Sequence, residues 1–265
     1  MSLWEIILLA IVQGLTEFLP VSSSGHLLVA NRLLETLGQP PVADLLEVSI
    51  VLHLGTLAAV LVFYRREITR LFGSDRRVIG LLILGTIPAA VLGILLKKVV
   101  PEELSKLILE NALLAGFMFP LTALLLVWSE RRSPGEHDYP QLGWGKVFFI
   151  GMFQAVALLP GVSRSGATIA AGLAAGLQRN AAATFAFLLA LPAIAGAGLL
   201  ESLEIVEAGT TGTPLGTLAT GFLVSMAVGL VALRMLISWV NRGRLSLFAY
   251  YLVPLGVVVI AWQLQ

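Results

Sequence analysis

No cysteine occurs among the 265 residues, which excludes disulfides and all thiolate chemistry. Charge is nearly as scarce. Asp, Glu, Lys and Arg make up 12% of the chain, and 17 basic against 16 acidic residues leave a formal net charge of +1. So balanced a chain offers no basic surface for a nucleic-acid backbone, and no nucleic-acid partner is expected. No stretch has the composition of a soluble domain. The N-terminus is apolar from Leu3, but it lacks a basic leading segment and carries Glu5 and Glu17, so it is not read as a cleaved signal peptide. What the chain has in quantity is apolar surface: 57% hydrophobic residues and a mean hydropathy of +0.92, the composition of an integral membrane protein.

Most of the sequence divides into apolar runs near the ~20 residues that a helix needs to cross a hydrocarbon core. Six runs have this character: Val42 to Tyr64, Val78 to Leu96, Leu107 to Trp128, Ala181 to Leu200, Leu215 to Val240 and Leu245 to Trp262. Two further segments, Leu3 to Leu37 and Lys146 to Leu177, are broken in the middle by Pro, Gly and a serine cluster. Each reads as a re-entrant hairpin of two half-length helices around a polar loop, because irregular backbone at membrane depth survives only inside protein or beside a wet cavity. Two Pro-kinked full spans are the simpler alternative.

The two broken segments repeat one another. Gln13 to Gly25 reads QGLTEFLPVSSSG and Gln154 to Gly166 reads QAVALLPGVSRSG. In gapless register Gln13, Val21, Ser22, Ser24 and Gly25 fall on Gln154, Val162, Ser163, Ser165 and Gly166. Loop charge supplies the orientation. Arg65, Arg66, Arg70, Arg76 and Arg77 place their loop inside, as do Arg131, Arg132 and Lys146, and Arg242 and Arg244. Glu201, Glu204 and Glu207 lie in a loop read as outside, and Lys97, Lys98 and Lys106, mixed with Glu102 and Glu103, mark another. Both termini then fall outside, and the hairpins enter from opposite faces. The expected fold is an all-α polytopic membrane protein: six transmembrane helices plus two re-entrant helical hairpins in an inverted-topology repeat. It forms one membrane domain, with repeat one over about 1–130 and repeat two over about 145–265.

Either loop taken alone reads as a turn followed by a helix N-cap. Together they bring two helix starts to one place, where free N–H groups and dipole ends favour an anion. Ser22, Ser23, Ser24, Ser163, Ser165 and Thr168 supply hydroxyls beside the backbone of Gly25 and Gly166. Arg164, present only in the second copy, adds a planar donor fork suited to phosphate oxygens. At this depth an arginine needs an anionic partner, and Glu17, present only in the first copy, is the candidate. Gln13 and Glu17 are four residues apart and share a helix face. Glu17 is positioned to take a proton from a serine hydroxyl or a water, and His26 is the other candidate for base or leaving-group acid. His53 is read as a hydrogen-bonded packing residue, Asp44 and Glu47 as rim residues, and Arg234 as snorkelling to the inner interface.

At these residues the chain resembles the bacterial undecaprenyl pyrophosphate phosphatases, the bacitracin-resistance family. The signatures are Gln13 and Glu17 leading into Phe18 to Ser23, Gly25 and His26; then Pro160, Gly161, Ser163, Arg164, Ser165 and Thr168; and a segment from Glu47 to Thr56. The resemblance implies hydrolysis of undecaprenyl diphosphate to the monophosphate lipid carrier of cell-wall synthesis, in the bacterial inner membrane. It implies an active site open to the outer face and a homodimer. It casts Glu17 as the catalytic carboxylate, Ser23 as nucleophile and Arg164 as the phosphate-binding arginine, with His26 the motif histidine. It also implies a divalent cation, Mg2+ or Ca2+. Gln13 stands where many members have Glu, so Glu17 is the one obvious carboxylate for such an ion, and the diphosphate would supply most of its ligands. A type-2 phosphatidate phosphatase is excluded, since Ala170 stands where that class needs a histidine after its arginine. A polyprenyl-phosphate transporter or flippase working at the same midplane site is the rival from another class.

Overall fold

The computed structural model describes residues 2–36, 45–133, 135–208 and 213–265, all-helical apart from turns and a single isolated bridge among those residues. Asp44, the start of the first predicted span at Val42 and the end of the first hairpin at Leu37 lie outside them. The helices are α1 (Leu3–Thr16), α2 (Ser23–Thr36), α3 (Leu45–Phe63), α4 (Arg65–Leu71), α5 (Arg76–Lys98), α6 (Glu102–Leu109), α7 (Ala112–Glu130), α8 (Trp144–Val156), α9 (Arg164–Ala174), α10 (Arg179–Ala208), α11 (Leu215–Asn241) and α12 (Ala249–Gln263).

Among the described residues five helical stretches are long and apolar enough to cross a membrane: α5, α7, α10 over Arg179–Leu199, α11, and Leu245–Gln263, which contains α12. A sixth follows if α3 and α4, bent by 77° from one another, count as one span. Their large outward apolar side chains, such as Ile83, Leu124, Val231 and Val258, have lipid as their natural solvent. The broken segments form shorter helices: α1 and α2 meet at Glu17–Ser22, and α8 and α9 at Ala157–Ser163. The third predicted span starts later than its hydropathy implied. Asn111 caps α7 by accepting from the Leu114 N–H at 2.9 Å, so Leu107 belongs to the separate amphipathic helix α6.

Packing exchanges partners between the halves of the chain. Helix α1 lies on α11 and α8 lies on α5, while α3 packs on α10 and on α11, and α7 on α12. Close approach depends on small residues: a Cβ on Gly151 would stand 2.5 Å from the Gly85 carbonyl oxygen, so α8 and α5 cross nearly backbone to backbone. The largest buried cluster runs through Phe18, Phe119, Leu126, Ile150, Phe185 and Leu189 and lies under both broken segments. Gly135, His137 and Gln178 bond backbone to backbone across the loop joining the halves to the end of α9.

Candidate active site

The two loop tips meet. A Cβ on Gly25 would stand 2.9 Å from the backbone of Gly161, so glycine here is a condition of their approach. Ser22 occupies the left-handed region at φ 70°, an unfavourable conformation for a residue with a side chain. Several bonds hold it there. Its Oγ accepts from the Gly25 N–H at 3.3 Å, the N-cap bond of α2, and from the Gly161 N–H of the other loop at 3.2 Å. Its carbonyl accepts from His26 Nδ1 at 2.7 Å. The second loop mirrors this. Ser163 caps α9 through the Gly166 N–H at 3.2 Å, its own N–H is held by Thr122 Oγ1 at 3.2 Å, and Ser165 Oγ reaches back to the Leu19 carbonyl at 3.4 Å. Ser22, Ser163 and Ser165 are all buried. Their hydroxyls are engaged in capping and stitching the loops, so each loop is the capped turn that it resembles alone, and the pairing is what builds the site.

Beside the tips lies a cavity of about 210 Å³ lined by Thr16, Glu17, Ser22, Ser23, Ser24, His53, Gln154, Ser163 and Arg164, with an apolar wall that includes Ala89, Leu158 and Ile194. Glu17 is its centre. The residue is 8% exposed, and both carboxylate oxygens are engaged. The Arg164 guanidinium closes on Oε1. Oε2 accepts from Ser23 Oγ at 3.0 Å and from Gln13 Nε2 at 3.0 Å. Pairing across the two copies answers the cost of placing an arginine here, since either charge alone would be left uncompensated in a low-dielectric interior. Chemically the cluster offers a carboxylate in hydrogen-bond contact with a hydroxyl, a guanidinium fork, and two first helical turns whose leading N–H groups lack intrahelical partners.

Several expected residues sit elsewhere. His26 does not line the cavity. Besides its bond to the Ser22 carbonyl, its Nε2 is 2.7 Å from the Tyr251 hydroxyl, and the ring stacks on Tyr251 and meets Phe119 edge-on. Thr168 turns to its own helix, donating to the Arg164 carbonyl at 2.7 Å. Glu17 does not fit a protein-held cation: each oxygen already faces a donor or a cation, an added divalent ion would meet Arg164, and no group of three His, Asp or Glu occurs among the described residues. His53 corrects the sequence reading. Its Nδ1 is hydrogen-bonded, 2.7 Å from the Ser49 carbonyl, but its Nε2 lines the cavity 3.7 Å from Glu17 Oε2. An ionisable side chain within an apolar run was the signal that pointed to it. Gln154 was visible as the repeat partner of Gln13. In the fold it lines the cavity, with Nε2 3.4 Å from the Gly85 carbonyl and a buried, unpartnered Oε1.

Fold and site together define a polytopic helical membrane protein with a buried carboxylate, hydroxyl and guanidinium cluster between two capped helix starts. The family model described as bacitracin resistance protein BacA matches residues 6–258, and the chain belongs to that family. It is 45% identical to an undecaprenyl-diphosphatase of Rhodopirellula baltica, over all of this chain and 99% of the relative. It is 40% identical to an undecaprenyl-diphosphatase of Rubrobacter xylanophilus, over 98% of each chain. An undecaprenyl-diphosphatase of Methanosphaera stadtmanae is 34% identical over 96% of this chain and 95% of the relative.

Proposed function

We propose that this chain is a membrane phosphatase that hydrolyses undecaprenyl diphosphate to undecaprenyl phosphate and inorganic phosphate, recycling the cell-wall lipid carrier and conferring bacitracin resistance. Family membership and full-length relatives named as undecaprenyl-diphosphatases support the activity. The observation that carries the mechanism is the Ser23–Glu17–Arg164 cluster, in which one carboxylate holds both a hydroxyl and a guanidinium. The terminal phosphate competes with Glu17 for the Arg164 fork and takes the N–H groups that open α2 and α9. Glu17, released from Arg164, then takes the proton of Ser23, or of a water in its place, as that oxygen attacks phosphorus in line. The bridging P–O bond breaks and the lipid monophosphate leaves with the electron pair. Where Ser23 is the attacking group, a water deprotonated by Glu17 then attacks the phosphoserine, the Ser23 O–P bond breaks, Ser23 regains its proton and inorganic phosphate is released. Positioning and charge neutralisation do most of the work in such a transfer. His26, tied to Ser22 and Tyr251, orients the first loop.

The site reading extends to Gln13 as the amide orienting Glu17, and to Ser24, Gly25, Ser165, Gly166 and Thr168 as the scaffold of the phosphate cradle. A divalent cation, Mg2+ or Ca2+, would be carried by the diphosphate. The topology reading keeps two re-entrant hairpins in inverted repeats over about 1–130 and 145–265. The exchanged packing of α1 on α11 and α8 on α5 supports it, because each hairpin then leans on the other half. The site faces outward with both termini outside, and the protein is a homodimer. Transport alone has no support in the relatives' names.

The test is phosphate release from undecaprenyl diphosphate by purified protein in detergent, with and without chelator, for wild type and folded Ser23→Ala. Release by wild type that falls on the order of 100-fold or more in Ser23→Ala supports the reading. No release with Mg2+ or Ca2+ present overturns it.

A further inference from the structure

His53 approaches one carboxylate oxygen of Glu17, Oε2, while Arg164 engages the other, Oε1. The Ser49 carbonyl only accepts, so the bond of 2.7 Å to His53 Nδ1 places the ring proton on that nitrogen. Neutral His53 therefore presents a bare Nε2 to the cavity. That nitrogen is 3.7 Å from Glu17 Oε2, the oxygen that Ser23 contacts. The side chain of His53 is 30% exposed against 5% for Glu17, so it is the member of the pair with access to cavity water. Among the described residues the ionisable groups lining this cavity are Glu17, Arg164 and His53 itself; α5, α8 and α10 contribute uncharged groups such as Ala89, Gln154 and Ile194, the loop after α8 contributes Leu158, and α11 contributes none. Gln13, the other side chain bonded to Oε2, is an amide and carries no proton away.

We infer that His53 is a relay residue acting through Glu17, an inference that rests on the phosphatase reading. As the Ser23 or water oxygen attacks phosphorus, its O–H bond breaks and the proton goes to Glu17 Oε2. The new Glu17 O–H faces His53 Nε2, which takes the proton and releases it to cavity water or to the departing phosphate. Glu17 returns to the carboxylate that pairs with Arg164, and His53 to its neutral form. No oxidant, reductant or further reactant is needed. The relay also explains why a histidine lines this cavity with its far nitrogen pinned to the backbone of its own helix: the pin fixes the tautomer that accepts.

The experiment compares full-length wild type, His53→Ala and His53→Gln in detergent, measuring phosphate release at limiting and saturating undecaprenyl diphosphate, with and without added imidazole. Glutamine fills the space and keeps a hydrogen bond but does not relay a proton. The expected result is a kcat lowered roughly 10- to 100-fold in both variants with KM little changed, and partial recovery of His53→Ala by imidazole. Wild-type kcat in His53→Gln, a loss confined to KM, or a His53→Ala defect that imidazole leaves untouched overturns the relay alone. A wild type that releases no phosphate overturns the phosphatase reading and the relay with it.

Discussion

In the first loop the capping serine, Ser22, sits at φ 70°, whereas in the second the positive φ falls on Gly161 and the capping Ser163 stays extended at φ −77°. The same division of labour runs through the adjoining helices. Gln13 donates to Glu17, while its repeat partner Gln154 reaches the Gly85 carbonyl, and Leu158 occupies the position that Glu17 holds in the first copy. One loop thus concentrates the strain, the carboxylate and the Ser23 hydroxyl that bonds it. The other supplies Arg164 from a turn whose positive φ falls on glycine. The two loops are anchors of like construction that carry opposite charges. Strain of roughly 1–3 kcal/mol at a residue such as Ser22 persists only where its surroundings fix it. Here those surroundings include the N–H of Gly161 from the other loop.

The largest expected effect comes from separating the charges. Arg164→Ala leaves the buried Glu17 carboxylate without its counter-charge, which is expected to cost about 3–5 kcal/mol of stability; Glu17→Ala strands the part-buried Arg164 at a smaller cost, and both are expected to remove phosphate release. The double substitution should be more stable than either single one, because no lone charge remains. Thermal unfolding of all three in detergent measures the coupling, and a double-variant loss equal to the sum of the two single losses would show that the loops are not joined through this pair.

A smaller effect separates the caps. Ser22→Ala and Ser163→Ala should each cost about 1 kcal/mol. Glycine tells the two loops apart: Ser22→Gly loses the cap but accepts φ 70° freely, so it should unfold closer to wild type than Ser22→Ala, a rescue that extended Ser163 should exceed in no assay. Equal rescue at both positions would remove the asymmetry of strain. The smallest effect concerns His26. Tyr251→Phe deletes the partner of His26 Nε2 on α12 and should cost about 0.6 kcal/mol while leaving phosphate release close to wild type. A large loss of release would move His26 from orienting the loop into the chemistry.

The spans were legible because a helix that crosses lipid must be apolar along its length, a property written locally. The third span was placed too early because hydropathy does not register a cap, and Asn111 divides α6 from α7 through one side-chain bond. The end of the first span at Tyr64 was legible, but the helix α4 that follows it after a bend of 77° was not, because its arginine-rich stretch reads as a loop. Within the site, Glu17, Ser23 and Arg164 were legible as polar residues in a repeated motif. The positions of His26 and His53 were not legible, since each lies beside a serine-rich or apolar run and only packing determines which lines the cavity.

The sequence by itself determined the membrane class, the duplicated loops, the family and the placement of opposite charges in the two copies, because composition and motif are local and survive without coordinates. Tertiary structure alone decided that the Gly161 N–H reaches Ser22, that His26 turns toward Tyr251, and that His53 faces Glu17. Those outcomes depend on the side chains that α3, α9 and α12 bring near the loops across long stretches of chain, and helical periodicity fixes the face of one helix without fixing which helix lies against it.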